Sequence, residues 1–198
     1  MKTNLEDCTG LLEAIKKDKL VFMFGSGMSA ALTHQPGGWI RWILDGAEYI
    51  DDETVRNRII ESIRSDTSAE NLIRMVGQVI SETKRSNTYD VWMNQSLETH
   101  GVEDALLSKA LKLLIASKAV FLTTNYDLLL EQAADLQTLS YTEPDECFRM
   151  LEQNHNHAVI HIHGVYDSEN NIDSIIADED QYRAIISDDA AQFIQNLL

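Results

Sequence analysis

The chain has 198 residues, and 16 Lys and Arg against 32 Asp and Glu give it a formal net charge of −16. Its hydrophobic content of 44% is enough for the packed core of one domain and excludes a disordered acidic tail. The scattered basic residues argue against binding to nucleic acids or to anionic membrane surfaces. Because the sequence shows neither a signal peptide nor an apolar run of about 18 residues, we expect a soluble cytoplasmic protein.

The N-terminal part of the chain predicts one helix and one buried strand. Residues 5–17 have apolar side chains at helical spacing and a basic end, which is favourable at a helix C-terminus. Residues 20–24 form a short, fully apolar run that stops at Gly25. A run without polar alternation is typical of a strand buried on both faces of a parallel sheet.

Residues 39–118 are predicted to be mostly helical. Apolar side chains recur at i, i+3 and i+4 spacing in residues 39–50, 55–63, 72–80 and 102–115. Roughly 80 residues of helix is too much for one crossover connection between two strands. We therefore expect an all-helical insertion within the domain.

The rest of the chain alternates between apolar runs and helical patterns. We predict strands at 119–122, 158–162 and, more weakly, 172–177, and helices at 126–134, 178–186 and 188–198. This alternation predicts an α/β fold with a mainly parallel sheet flanked by helices. The last helical pattern reaches Leu198 without a closing residue, which fits either a fraying natural end or a chain cut inside a larger domain.

Polar or glycine-rich loops follow three of the predicted strands. They are Gly25-Ser26-Gly27, Thr123-Thr124-Asn125 and His163-Gly164. Ligands of open parallel sheets bind beyond the carboxyl ends of the strands, so we expect these three loops to meet over one cleft.

The first loop, residues 25–30, matches the Gly-x-Gly-x-x-Gly/Ala pattern of dinucleotide-binding proteins. Gly25 would permit a tight turn, and Gly27 would let a pyrophosphate approach the positive end of the next helix. A plain strand–helix turn is the alternative. An ordinary dehydrogenase carries a ribose-binding acidic residue about 20 positions after the glycine motif. Asp45 and Glu48 lie near that spacing, but within a predicted helix. The chain also contains no P-loop motif. An ordinary dehydrogenase and a P-loop ATPase are therefore disfavoured.

The other two loops carry candidates for acid–base chemistry. In the structural interpretation, Thr124 or Asn125 caps the next helix, and the negative charge of Asp127 stabilises the N-terminus of that helix. In the functional interpretation, the side chains of Asn125 and Asp127 lie over the cleft. His163, at a strand end beside a glycine, is a general-base candidate. His161 lies deeper in the strand and is expected to pack or to support the site.

A metal site is the competing interpretation of the histidines. His155, His157, His161 and His163 are closely spaced, so two on one face could chelate an ion. No acidic or Cys ligand is interleaved, and the two cysteines of the chain are far apart. We therefore predict no metal site and no disulfide framework.

Together, the three loops resemble the sirtuin-like (silent information regulator two-like) superfamily. The family's Gly-Ala-Gly-x-Ser, Thr-Thr-Asn-Tyr-Asp and His-x-His-Gly elements correspond to residues 25–29, 123–127 and 161–164, and residues 175–182 are similar to a later strand and acidic helix start. The resemblance runs from about residue 12 to 198 and implies a Rossmann-like sheet that cradles NAD⁺. The four-Cys zinc ribbon of protein-deacylating sirtuins is absent, so no zinc is expected. The chain looks more like the NAD⁺-hydrolysing sirtuin-like domains of bacterial anti-phage defence proteins.

The resemblance implies a role for each matched residue. Residues that would hold the cofactor are Gly25, Ser26, Gly27, Ser29 and, with a less defined contact, Thr124. Asn125 would orient the ribose and the attacking water, Asp127 would bind the nicotinamide carboxamide, and His163 would act as general base. The implied activity is hydrolysis of NAD⁺ to nicotinamide and ADP-ribose, in a homo-oligomer or with a partner defence protein.

Two departures from the family keep other functions open. Ser26 replaces the usual Ala, and the family's later Gly-Tyr-Ser-like loop, which helps hold the adenosine half, has no counterpart before Leu198. We therefore expect residues 1–198 to form a single sirtuin-like domain that is incomplete at its C-terminus. The alternatives are an NAD-dependent protein deacylase or ADP-ribosyltransferase, and a non-catalytic oligomerisation module.

Overall fold

The computed structural model describes residues 9–17, 20–35, 37–98, 101–153 and 156–186, which are built around a four-stranded parallel sheet. Its strands are β1 (Val21–Phe24), β2 (Val120–Thr123), β3 (Gln137–Ser140) and β4 (Ala158–His161), in the spatial order β1-β2-β4-β3. Phe24 pairs with Thr123, and Thr123 pairs with His161, so the carboxyl ends of β1, β2 and β4 lie side by side. The predicted α/β, Rossmann-like fold with helices flanking a mainly parallel sheet is confirmed.

Three strands differ from the prediction. β1 forms as predicted, but the expectation that it is buried on both faces was wrong, because it is an edge strand of the sheet and its Val21 and Met23 side chains are exposed. The sequence pattern missed β3, because three of the four residues in its sequence Gln-Thr-Leu-Ser are polar and, in the described part of the chain, this edge strand pairs with β4 alone. The prediction that residues 172–177 form a strand of the main sheet was wrong. Only Ile172–Asp173 is a strand, β6, and it pairs antiparallel with β5 (Tyr166–Asp167). Ile175 and Ala177 produced the apolar signal, but they are buried in the core of the helical layer instead.

The helices of the described residues largely follow the predicted pattern. In chain order they are α1 (Thr9–Lys16), α2 (Ser26–Thr33), α3 (Trp39–Ala47), α4 (Glu53–Ser65), α5 (Ala69–Arg85), α6 (Tyr89–Met93), α7 (Ala105–Ala116), α8 (Leu129–Ala134), α9 (Pro144–Gln153) and α10 (Glu179–Ile186). A π-helical turn, Asn94–Glu98, continues α6. The sequence pattern missed α9, and the predicted helix at 188–198 lies outside the described residues.

The helical layer formed by α3, α4, α5 and α6 has its own core. Asp52 and Ser68 cap α4 and α5 by accepting hydrogen bonds from backbone N–H groups of the first turn. A Cβ on Gly46 of α3 would lie 2.4 Å from the Trp92 ring, so α3 and α6 pack closely only because this residue is glycine. Tyr126, from the loop after β2, is buried in the same core and thereby joins the helical layer to the edge of the sheet.

Both faces of the central strands are covered. Phe121 and Val159 pack in one cluster with α7 and α8, while Leu122 and Ile160 pack with α9 on the opposite face. Full burial of each such side chain contributes roughly 1.5–3 kcal/mol. This two-sided burial explains why β2 and β4 are apolar without alternation. In the described part of the chain, none of the helices has the length and apolar character needed to cross a membrane.

Candidate functional site

A cleft of about 1200 Å³ opens between the carboxyl edge of the sheet and the helical layer. The loops after β1, β2 and β4 form one wall, and α3, α6 and the π-helical turn form the other. From the first loop, α2 and the segments after β2 and β4, the cleft is lined by Ser26, Ser29, Thr124, Asn125, Tyr126, Asp127 and His163. The structure thus brings all three loops to one cavity, although they are distant in sequence. Gly25 and Gly27, which were also predicted to hold the cofactor, are not among the lining residues.

The first loop leaves the backbone uncovered where α2 begins. Gly25 is the N-cap of α2, and its φ of −133° and ψ of −172° are extended values that any residue adopts. The chain does turn tightly at Gly25, between β1 and α2, but this turn does not depend on the conformational freedom of glycine. A Cβ on Gly25 would only touch the Thr124 hydroxyl at 3.7 Å, and a Cβ on Gly27 would meet nothing within 4 Å. The fold itself does not require glycine at either position.

A chain of hydrogen bonds connects Asn125, Ser29 and Asp127. The Asn125 Nδ2 atom donates to the Ser29 hydroxyl at 2.7 Å, and this hydroxyl donates to Asp127 Oδ2 at 2.7 Å. The other Asp127 oxygen accepts from the Leu129 N–H at 3.2 Å. Burial raises the pKa of the Asp127 carboxyl, and the hydrogen bond from Ser29 opposes that increase. The three side chains therefore hold one another in place at the cleft wall.

The second loop is positioned by the sheet rather than by helix capping. The Thr124 N–H donates to the Phe24 carbonyl at 3.1 Å, which extends the β1–β2 ladder, and the Asn125 N–H donates to Thr123 Oγ1 at 3.0 Å. Helix α8 begins only at Leu129, its N-cap residue Leu128 makes no side-chain hydrogen bond, and the carboxylate that accepts from its first N–H belongs to Asp127. The alternative that Thr124 or Asn125 caps this helix was therefore wrong, because the residues between them and Leu129 form a bend.

His163 lies in the turn after β4, where its ring is partly buried. Burial lowers the pKa of the imidazole, so the ring is neutral at pH 7 and can accept a proton. The ring stands edge-on to Tyr182 with 5.5 Å between centroids. Gly164 follows with a φ of +81°, and a Cβ there would lie 1.9 Å from the Ser174 carbonyl oxygen. This turn, unlike the first loop, needs its glycine for purely structural reasons.

His161 lies behind the cleft and is fully buried, as expected for a supporting residue. Its Nδ1 atom lies 2.9 Å from the Asn125 carbonyl oxygen, and its Nε2 atom lies 2.6 Å from Glu131 Oε1. Both ring nitrogens are therefore engaged by protein groups. Within the described ranges, no group of three or more His, Cys, Asp or Glu side chains is placed to hold a metal ion; His155 lies outside those ranges.

The second wall of the cleft was not predicted from the sequence. Trp42 of α3 stacks on Trp92 with 4.8 Å between ring centroids and donates from Nε1 to the Ser96 hydroxyl at 3.1 Å. Arg41 lies beside it in the cleft lining and pairs with Asp45 at 3.5 Å. The sequence pattern placed these residues on an amphipathic helix, but it could not distinguish a helix face that borders a cleft from one that packs in a core.

A comparison with protein families supports the resemblance for part of the chain. The family model described as a SIR2-like domain matches residues 119–198. The matched residues include Asn125, Asp127, His161 and His163, whereas the loop at residues 25–29 precedes them. Over residues 119–198 the chain is similar to SIR2-like domains, which supports the presence of a sirtuin-like domain in this protein.

Proposed function

We propose that this protein binds NAD⁺ in the cleft and hydrolyses the bond between nicotinamide and ribose. The observation that carries the proposal is the convergence of Ser29, Asn125, Asp127 and His163 on one cavity of about 1200 Å³. The similarity of residues 119–198 to SIR2-like domains supports NAD as the ligand. The reaction consumes NAD⁺ and water and yields nicotinamide, ADP-ribose and a proton.

The N-terminus of α2 would bind the pyrophosphate. Gly25 and Gly27 carry no side chain there, and the space beside Gly27 is open, so backbone N–H groups can approach phosphate oxygens. The positive end of the helix favours an anion at this position. Arg41, at the other wall of the cleft, supplies a cation in a chain whose net charge is −16.

The groups around Asn125 fit the chemistry of glycosidic cleavage. Nicotinamide leaves as a neutral group, and positive charge develops on the ribose. Because Asn125 donates from Nδ2 to Ser29, its Oδ1 atom is the one offered to a ribose hydroxyl or the attacking water. Asp127 would accept from the nicotinamide carboxamide, and its carboxylate would stabilise the nearby positive charge. Neutral His163 would accept the proton.

The test is the release of nicotinamide from NAD⁺ by the purified protein, followed by liquid chromatography. We expect Asn125→Ala and His163→Ala each to lower turnover by roughly 100-fold or more, as for the loss of a positioned acid–base or polar group. Matched controls are Asn57→Ala and His157→Ala, which change exposed residues outside the cleft. Unchanged turnover in both cleft variants would refute the catalytic assignment.

The alternative activities give different results in the same assay. Consumption of NAD⁺ that requires an acylated peptide would identify a deacylase or transferase. A folded protein that gives no heat of NAD⁺ binding in calorimetry would identify a non-catalytic module.

We also propose that NAD⁺ depletion serves anti-phage defence, in an oligomer or with a partner defence protein. This role follows from the resemblance to bacterial defence domains. Cells expressing the protein should lose NAD⁺, and phage should form fewer plaques on these cells than on cells expressing Asn125→Ala. Equal plaque numbers and NAD⁺ levels in the two strains would contradict it.

A further inference from the structure

His161 and Glu131 form a buried pair directly beneath the Asn125 peptide. His161 is on β4 and Glu131 is on α8, and neither side chain lines the cleft. Both are buried, with side-chain exposures of 0% and 7%. Burying two ionisable groups is costly unless they are paired and hydrogen-bonded, so this pair needs a physical explanation.

The hydrogen-bond partners determine where the imidazole protons lie. The Asn125 carbonyl oxygen can only accept, so Nδ1 of His161 carries a proton and donates it at 2.9 Å. Nε2 faces Glu131 Oε1 at 2.6 Å, and a second proton lies between these two atoms. Thr138 also donates to Glu131 Oε1 at 3.4 Å. Glu131 therefore orients the ring so that Nδ1–H points at Asn125.

These contacts hold Asn125 from three sides. Its carbonyl oxygen accepts from His161, its N–H donates to Thr123 Oγ1, and its side chain donates to Ser29. With the peptide groups before and after Asn125 both held and its side chain bonded to Ser29, the direction in which the carboxamide enters the cleft is fixed as well. Without the His161 contact, the buried Asn125 carbonyl would lack this donor and the peptide could rotate.

We propose that His161 and Glu131 are a positioning pair that orients the Asn125 carboxamide toward the reacting ribose. The inference rests on the proposed NAD⁺ hydrolysis. It assigns no contact with the substrate to either residue. Its specific consequence is that the Nδ1 side of His161 matters for turnover more than the Nε2 side does.

Two substitutions at His161 separate the two sides of the ring. In His161→Asn, the amide nitrogen takes the place of Nδ1 and retains a donor for the Asn125 carbonyl. In His161→Gln, the longer side chain places its amide near Nε2 and loses that donor. We expect His161→Gln to lower kcat by roughly 10- to 100-fold with KM changed less than about 3-fold, and His161→Asn to restore most of kcat. Equal kcat values in the two variants, with similar melting temperatures, would overturn the proposal.

Nuclear magnetic resonance gives a readout that does not depend on activity or on a variant's stability. In the wild-type protein at pH 7, the ¹⁵N spectrum should show a protonated Nδ1 on His161 with a slowly exchanging proton. An unprotonated Nδ1 would contradict the proposal whether or not the variants fold.

The Asn125 side-chain amide resonance separates failure of this inference from failure of the proposed function. It should shift in His161→Gln and stay near its wild-type position in His161→Asn. If the wild-type protein does not hydrolyse NAD⁺ but the resonance shifts as expected, the proposed function fails and the positioning role remains. An unchanged resonance in His161→Gln overturns the positioning role itself.

Discussion

The Nδ2 atom of Asn125 lies 2.7 Å from the Oγ atom of Ser29, although 96 residues separate them in the chain. Ser29 belongs to α2 and Asn125 to the loop after β2, and the parallel pairing of β1 with β2 brings these two segments together. The Ser29 hydroxyl accepts from the amide and donates to Asp127, so one small side chain orients two candidate catalytic groups. This contact makes Ser29 a sensitive place to test the site.

Ser29→Ala should impair turnover more than folding. It removes an acceptor from Asn125 and a donor from Asp127, and a hydrogen bond to a charged group contributes about 1.5–3 kcal/mol. We therefore expect kcat to fall roughly 10- to 100-fold, measured by nicotinamide release. Ser108→Ala is the matched control, because its hydroxyl donates to the Ala133 carbonyl away from the cleft. A similar loss of kcat in the control would show that the effect is not local.

Gly27→Ala should stabilise the protein while weakening NAD⁺ binding. Gly27 is inside α2 with open space beside it, so alanine should raise the free energy of unfolding by roughly 0.5–1 kcal/mol. The added methyl group would stand where we propose that the pyrophosphate approaches, so KM should rise. Gly10→Ala, in α1 and also in open space, should stabilise without changing KM. If Gly27→Ala leaves KM unchanged, the proposed phosphate position is wrong.

The activity should persist to pH values below 6.5. Burial lowers the pKa of His163 from its ordinary value of 6.5, so the neutral base survives into mildly acidic solution. The acid limb of the plot of kcat/KM against pH should therefore have its midpoint below 6.5. A midpoint at or above 6.5, or an unchanged acid limb in His163→Gln, would argue against His163 as the base.

The same group should make folding stability depend on pH. Between its lowered folded pKa and 6.5, the unfolded state binds more protons at His163 than the folded state does. The stability associated with neutral His163 is thus present above pH 6.5 and is lost as pH falls through the folded pKa. Urea unfolding between pH 7 and 5 should show a smaller loss of free energy in His163→Gln than in the wild-type protein. An equal loss in both proteins would contradict the assigned cause.

Trp42→Leu should raise KM through loss of an aromatic surface in the second wall. Trp42 lines the cleft, and stacking on a planar ring contributes about 0.5–1.5 kcal/mol, so we expect KM to rise roughly 2- to 10-fold. Trp42→Phe should give a smaller increase because it keeps an aromatic face. Phe148→Leu, on the exposed side of α9, is the control and should leave KM unchanged. Melting temperatures of all three variants separate binding from loss of the Trp92 contact.

Gly164→Ala should destabilise the fold regardless of function. The positive φ and the 1.9 Å approach to the Ser174 carbonyl leave no room for a Cβ, so we expect a loss of roughly 3 kcal/mol or more. Thermal unfolding followed by circular dichroism measures this loss. Gly101→Ala, where nothing lies within 4 Å, should have little effect. Wild-type stability in Gly164→Ala would mean that the turn after β4 differs from the one described.

Local sequence patterns were reliable where a segment is buried on both sides. β2 and β4 lie in the middle of the sheet, so their apolar runs carry a strong signal. β3 is an edge strand with one polar face and was missed, and Ile175 and Ala177 imitated a strand although they pack in the helical layer. Apolar content alone therefore identifies neither burial nor a strand, because β1 is an apolar edge strand with exposed Val21 and Met23, whereas Ile175 and Ala177 are buried without forming a strand.

The sequence by itself determined the α/β class, three of the sheet strands and the loops that follow them, because parallel strands place their carboxyl ends at one edge. Only the tertiary structure decided that α3 and α6 supply the second wall of the cleft, that Ser29 links Asn125 to Asp127, and that His161 pairs with Glu131. These relationships depend on contacts between residues far apart in the chain. Local periodicity shows which face of a segment is apolar, but it does not show which partner that face meets.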